Sequence, residues 1–330
     1  MSKILVTGGA GYIGSHTTLA LSEAGHEVVV YDNLSTGRAE AVIPPARLVV
    51  GDLAETDRLN GLMRRENFSA ILHFAGSIVV PESVENPLKY YRNNTNNTTE
   101  LIGLAVRHGI PRFIFSSTAA VYGMPEVIPV TEDTPTQPIN PYGRTKLMSE
   151  WVIEDTAAAH PQFSYVILRY FNVAGADPEG RIGQSTPNAT HLIKVAAQAA
   201  LGRREALHIF GTDYDTPDGT CIRDYIHVTD LAAAHVLSLG HLEAGGPSGI
   251  FNCGYGHGYS VREIVEAVKR ASGVDFSVVE SPRRAGDPPA LVSNPARIRS
   301  TMGWQPSHDD IDGIALSAYA WEKRLELPET

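Results

Sequence analysis

A chain of 330 residues is long enough for one large α/β domain with a smaller second unit, and for a substantial core without disulfide or metal staples. Its formal charge of −10 argues against a nucleic-acid surface, so each basic residue is read for local chemistry. The two cysteines, Cys221 and Cys253, have neither metal nor redox spacing and fit a reducing cytoplasm; no metal site, signal peptide or membrane span is expected.

In chain order, residues 3–6 (KILV) form a short apolar run of the kind buried on both faces of a sheet. They lead into TGGAGYIG, residues 7–14. A helical pattern follows from Tyr12 to Ala24, with Ile13, Thr17, Ala20 and Leu21 at helical spacing and Gly25 placed to end it. Residues 27–31 read as a second strand with Asp32 at its end, and 47–51, 70–74, 112–116 and 165–169 as further strands between helical patterns. That alternation predicts an α/β fold, a Rossmann-type doubly wound parallel sheet. After Asn172 the rhythm breaks into longer loops, notably 211–219, which predicts a smaller C-terminal α/β substrate domain. The expected division is 1–173 and 174–330, with part of 222–240 returning to the first domain. Two later helices have readable starts, a capping box at Ser260 and Glu263 and an N-cap with proline at Asn294 and Pro295.

Ligands of such sheets sit outside the carboxyl ends of the strands. There Gly8, Gly11 and Gly14 join strand to helix, with a spacing that suits a tight turn, a close backbone approach to a pyrophosphate, and close packing of helix on strand. Asp32 lies where an acid accepts from the adenosine ribose, and its charge repels a 2′-phosphate, so NAD is favoured over NADP. The competing interpretation is a plain glycine turn with Asp32 as a strand-end cap; the order strand, glycines, helix, acid weighs for the cofactor.

Tyr142 and Lys146 stand four residues apart in NPYGRTKLMSE, which places both on one helix face. A tyrosine acts as a base only if its pKa of about 10 is lowered, and a neighbouring ammonium does that. Such a pair is also common on amphipathic helices. Beside the glycine turn and the hydroxyls Ser116, Ser117 and Thr118 at a strand end, it reads as catalytic, with Thr118 bridging the substrate hydroxyl and Tyr142.

The glycine octet, the Tyr142-x-x-x-Lys146 pair and the preceding Ser/Thr resemble the extended short-chain dehydrogenase/reductase superfamily. HFAG at His73, RYFN at Arg169, GTCIRDYIHV at Gly219 and PRRAGDPPA at Pro282 narrow the resemblance to the UDP-glucose 4-epimerases, over essentially the whole chain. It implies tightly held NAD and a cycle in which Tyr142 takes the proton of the sugar 4-hydroxyl, C4 becomes a ketone, the sugar turns, and C4 is restored inverted. By that resemblance Tyr12, Ile13, Asp32, Asn33, Asp52, Leu53, Phe74, Ala75, Gly76, Asn93, Tyr142, Lys146 and Phe171 contact the cofactor. Asn172, Leu192, Phe210, Arg223, Arg284 and Asp287 surround the UDP, and Leu291 borders the pocket for the C2 substituent. Planar, permanently charged Arg223 and Arg284 suit phosphate oxygens, whereas Arg283 is read as a solvated neighbour.

Two positions depart from the family pattern. Ile78 stands where many members carry a lysine. His191 stands where a second uridine-contacting asparagine is usual, either as a hydrogen-bonding replacement or as a surface histidine at a helix start. Dehydratases of the superfamily need an Asp-Glu pair where this chain has Ala119 and Ala120. Epimerisation of an N-acetylated or pentose UDP-sugar, and a non-catalytic NAD-sensing role, are the remaining alternatives. The resemblance also implies a homodimer through the helices at 88–108 and 141–160.

Overall fold

Alternating side chains along six apolar strands divide the interior into two layers. The structure, a computed structural model, describes residues 2–187, 189–284 and 286–325; Ala285, inside the 282–290 motif, lies outside them. The strands are β1 (Lys3–Thr7), β2 (Glu27–Asp32), β3 (Arg47–Val50), β4 (Ala70–His73), β5 (Arg112–Ser116) and β6 (Ser164–Tyr170). Ile4, Val6, Val28, Val30, Leu72 and Ile114 enter one core, and Leu5, Val29, Ile71, Phe113 and Phe115 enter the other. A strand buried on both faces needs apolar residues at every position, which is why these runs show no polar alternation. Each fully buried side chain of this size contributes about 1.5–3 kcal/mol.

The sheet has seven strands in the order 249–253, β6, β5, β4, β1, β2, β3, every pair parallel. Helix α1 (Tyr12–Glu23) follows β1, and the strand order reverses between β1 and β4, so the crevice opens at their carboxyl ends. The seventh strand, Gly249–Cys253, is absent from the strands expected above. The chain returns to the first sheet through the helix Val228–Glu243 and this strand, and so beyond 222–240.

Later in the chain the strands are short. Ile222–Arg223 lies between Tyr259–Ser260 and Ala290–Leu291, and Leu207–Phe210 pairs with Val278–Ser281. The Ser260 capping box forms with Glu263. At the next helix Pro295, not Asn294, is the N-cap; Asn294 Oδ1 still accepts from the Ala296 N–H at 3.0 Å. Among the described residues no helix is long and apolar enough to cross a membrane.

Candidate active site

The glycine turn is a cradle that tolerates no side chain. Gly8 has φ +74°, and a Cβ there would lie 2.5 Å from the Ala75 nitrogen; one on Gly14 would overlap the Gly8 carbonyl. Helix α1 starts at Gly11 with no side-chain cap, so its first-turn N–H groups and dipole are presented to an anion. Tyr12 turns its hydroxyl to the Gly175 carbonyl (2.6 Å), and Ile13 packs against the core. Asp32 is 8% exposed, with Oδ2 accepting from Ala10 N–H (3.0 Å) and Oδ1 from Leu34 N–H (2.8 Å). It therefore caps its own strand end and braces the glycine turn, leaving one lone pair on each oxygen for a ribose hydroxyl. Burial raises its pKa, against those two N–H groups. Asn33 Nδ2 donates to Asp52 Oδ2 (2.7 Å), while Leu53 is buried in the core behind them. These features fit a dinucleotide: a cradle without Cβ atoms, free helix N–H groups and a carboxylate one strand away.

Beyond the cradle, Phe74 and Ala75 continue from β4, both N–H groups bonding the Thr7 carbonyl (2.8 and 3.1 Å). The Phe74 ring packs on His235, centroids 4.7 Å apart. Gly76 lies close to Asn94 and Lys146: a Cβ there would be 3.1 Å from Asn94 Oδ1 and 3.9 Å from Lys146 Nζ. Asn93 Nδ2 bonds Ser77 Oγ at 2.9 Å, and Ile78 is exposed.

The helix Pro141–Ala159 starts at Asn140, whose Oδ1 accepts from Gly143 N–H, and carries Tyr142 and Lys146 on one face. Lys146 is buried, its Nζ donating to the Ser116 carbonyl (2.8 Å) and lying 4.7 Å from the centroid of the Phe115 ring. Burial pushes its pKa down to about 8 against the pull of Glu150. Burial also raises the Tyr142 phenol above its ordinary value, with the Thr118 hydroxyl acting the other way. The lowering of Tyr142 expected from Lys146 is thus not produced by the chain alone: burial sets the direction, and the ammonium is aimed at a carbonyl. Of the three hydroxyls, Thr118 faces Tyr142; Ser116 bonds Tyr170 and Ser117 bonds Glu150.

The remaining candidates pair largely with one another or with nearby apolar groups. Arg223 and Leu291 are direct partners on neighbouring strands. Arg223 Nη2 lies 3.6 Å from Asp287 Oδ1, and the Arg284 guanidinium stacks 3.8 Å from the Phe210 ring centroid. Leu291 joins Ala119, Val121, Tyr122, Val130 and Leu147 in a small apolar cluster, with Phe171 against it. Asn172, His191 and Leu192 line one further cavity. His191 is exposed at the start of the helix Leu192–Ala200 and bonds the Gln184 side chain (2.7 Å). Arg283 is held by Asp213 (2.6 Å) and stacks on Tyr214.

Sequence reasoning missed the supports. Asn94 is 2% exposed in a π-helical turn (Tyr91–Asn96), where its amide bonds both backbone groups of Ser77 (2.7 and 3.0 Å) and Thr145 Oγ1 (3.1 Å). It joins the segment after β4 to the helix Pro141–Ala159. Glu150, one turn beyond Lys146, is fully buried and paired to Arg169, which also bonds Tyr122 Oη at 3.1 Å. Two adjacent asparagines inside a helical pattern were the only available signal for the first, and RYFN for the second.

The NAD dependent epimerase/dehydratase family matches residues 4–254. The UDP-glucose 4-epimerase of Azospirillum brasilense is 60% identical over 98% of this chain and 93% of its own length. The crystal structure of UDP-glucose 4-epimerase from Brucella ovis in complex with NAD superposes with a TM-score of 0.94 at 47% identity, covering 97% of this chain and 98% of that one. The UDP-Glc/GlcNAc 4-epimerase of Campylobacter jejuni superposes with a TM-score of 0.87 at 53% identity, covering 98% and 100%.

Proposed function

The chain belongs to the NAD dependent epimerase/dehydratase family, and from that premise we propose that it interconverts UDP-glucose and UDP-galactose, inverting C4 through a 4-keto sugar with NAD held throughout. The observation that carries this reading is the convergence of Thr118, Tyr142 and Lys146 on the crevice beside the glycine cradle.

NAD, when bound, takes up and returns the C4 hydride. The chain does the rest. Thr118 orients the 4-hydroxyl and the Tyr142 phenol, and Tyr142 Oη accepts the hydroxyl proton and gives it back. Lys146, one helical turn from Tyr142 and pinned by the Ser116 carbonyl, supplies the positive charge that favours the phenolate, against the burial that raises Tyr142. Gly8, Gly11, Gly14, Tyr12 and Ile13 would cradle the cofactor's diphosphate, Asp32 and Asn33 its adenosine ribose, and Asp52 and Leu53 the adenine side. Phe74, Ala75, Gly76, Asn93 and Phe171 would wall the nicotinamide half. Arg223 and Arg284 hold the UDP diphosphate, with Asp287, Phe210, Leu192 and Asn172 around the ribose, uracil and phosphates. With the UDP anchored, the keto sugar turns about its link to the diphosphate and meets Tyr142 with its other face.

Leu291 sits among apolar neighbours and itself offers an acetamido amide no hydrogen bond, so plain hexoses are the preferred pair. The chain also works as a homodimer: Val84, Leu88, Met148 and Trp151 are exposed on helices that pack beside one another, an apolar face of the kind a second copy covers. The test is conversion of UDP-galactose by purified protein without added nucleotide cofactor, followed by chromatography. A requirement for added NADP in proportion to product would defeat the reading.

A further inference from the structure

Tight retention of a cofactor needs something that must move before it leaves, and the chain has such a part outside the dinucleotide fold. After the strand Asn172–Ala174 the chain is tied at three points to α1 and to the loop that follows β2. Tyr12 Oη donates to the Gly175 carbonyl (2.6 Å), Arg181 Nη1 meets Glu23 Oε1 at the far end of α1 (2.7 Å), and Arg38 Nε reaches the Ser185 carbonyl (3.4 Å). A cavity lies between these ties. It is lined by Gly11, Tyr12 and Ser15 at the start of α1, by Thr36, Arg38 and Ala41 after β2, and by Gly183, Ser185 and Thr186. An anion at the start of α1 therefore has Gly183, Ser185 and Thr186 of this segment beside it.

The outer face of this segment is fixed by the last helix, Ile311–Arg324. Arg324 Nη1 donates to the Gly180 carbonyl (2.6 Å), and Ser317 Oγ accepts from the Ala176 N–H (3.3 Å). Lys194 Nζ bridges the Gln184 carbonyl (2.7 Å) and the buried Glu322 carboxylate (2.5 Å), which Arg203 also pairs at 3.2 Å. A side chain at Gly183 would collide with the Trp321 indole, so glycine there is what lets segment and helix approach so closely.

We propose that residues 175–186 are a strap over the diphosphate of the bound dinucleotide and that the helix Ile311–Arg324 is its latch, with Glu322 as a positioning residue. This rests on the reading of NAD as resident. To leave, the cofactor must lift the strap, which breaks its bonds to Tyr12, Glu23 and Arg38 on one face and to Lys194, Ser317 and Arg324 on the other. Release is slowed accordingly, while the chemistry at Tyr142, at the other end of the cofactor, is untouched.

The experiment measures NAD release from purified protein during dialysis, by acid extraction and enzymatic assay. The wild type is compared with Glu322→Gln and with the Arg324→Ala/Ser317→Ala double variant, which leaves the buried ion pairs intact. The wild type retains its NAD; both variants release it about tenfold faster or more, and added NAD restores their epimerase activity. Release from the double variant at the wild-type rate overturns the strap, as does rapid release that added NAD does not reverse. A wild type that empties as fast as the variants instead overturns the resident-cofactor reading, and the strap with it.

Discussion

Glu150→Gln tests how the catalytic helix is held. The carboxylate is fully buried, accepts from Ser117 Oγ, and receives Arg169 through Nη2 at 2.6 Å and Nε at 3.1 and 3.2 Å. Glutamine keeps the size and one acceptor but removes the charge, leaving a guanidinium that is itself only 4% exposed. Breaking a buried pair from one side costs about 3–5 kcal/mol. In a chain of this length that corresponds to a fall in Tm of roughly 4–7 °C. Glu150 is also the group that holds up the pKa of Lys146, which burial has already lowered to about 8. In the variant Lys146 loses its proton at lower pH, and the alkaline limb of the rate profile moves down. Calorimetry and initial rates of UDP-galactose conversion across pH measure the two effects separately. Melting within about 1 °C of the wild type together with an unmoved alkaline limb would refute the reasoning.

Tyr142→Phe keeps the helix and removes the ionisable oxygen, so turnover falls by about 10² or more while NAD stays bound; near-normal turnover would remove Tyr142 from its role. Burial holds His16, His227 and His235 at about 4 and His73 at about 3. The unfolded chain binds protons at these sites from about pH 6.5 downward, where the folded chain does not. Their contribution to stability is therefore full above that value and is lost as pH falls towards 4, so the urea midpoint is lower at about pH 5 than at about pH 7. Equal midpoints would contradict that. Leu291→Tyr places a larger ring in the apolar cluster around Leu147, and it reduces any activity on UDP-N-acetylgalactosamine more than activity on UDP-galactose. Equal kcat/KM for the two sugars in the wild type would overturn the preference, and acetamido activity untouched by the substitution would show that Leu291 is not the gate.

Strands β1 to β6 were legible because each is an apolar run bounded by turn residues, and the order strand, Gly8, Gly11, Gly14, helix, Asp32 carries its meaning locally. Gly249–Cys253 was not: three apolar residues with Asn252 among them look like a loop, and only the pairing with β6 makes them a strand. The Tyr142/Lys146 spacing was readable, since four residues put two side chains on one helix face. Their electrostatics were not, because burial comes from the assembled sheet and turned the expected direction for Tyr142. Arg223, Arg284 and Asp287 came from resemblance; nothing in their local spacing announces that strand pairing will set Arg223 beside Leu291. Asn94 was hidden because a π turn is a matter of helical register, which residue types do not specify.

The central claim is that one C4 hydride leaves and returns inside one resident site. UDP-galactose carrying deuterium at C4 is incubated with purified protein, without added cofactor, and the UDP-glucose formed is examined by mass spectrometry and proton NMR. The account predicts product that keeps the deuterium at C4 with no exchange into solvent. Product that has lost the label, or product that forms only when NAD or NADP is supplied, would contradict it.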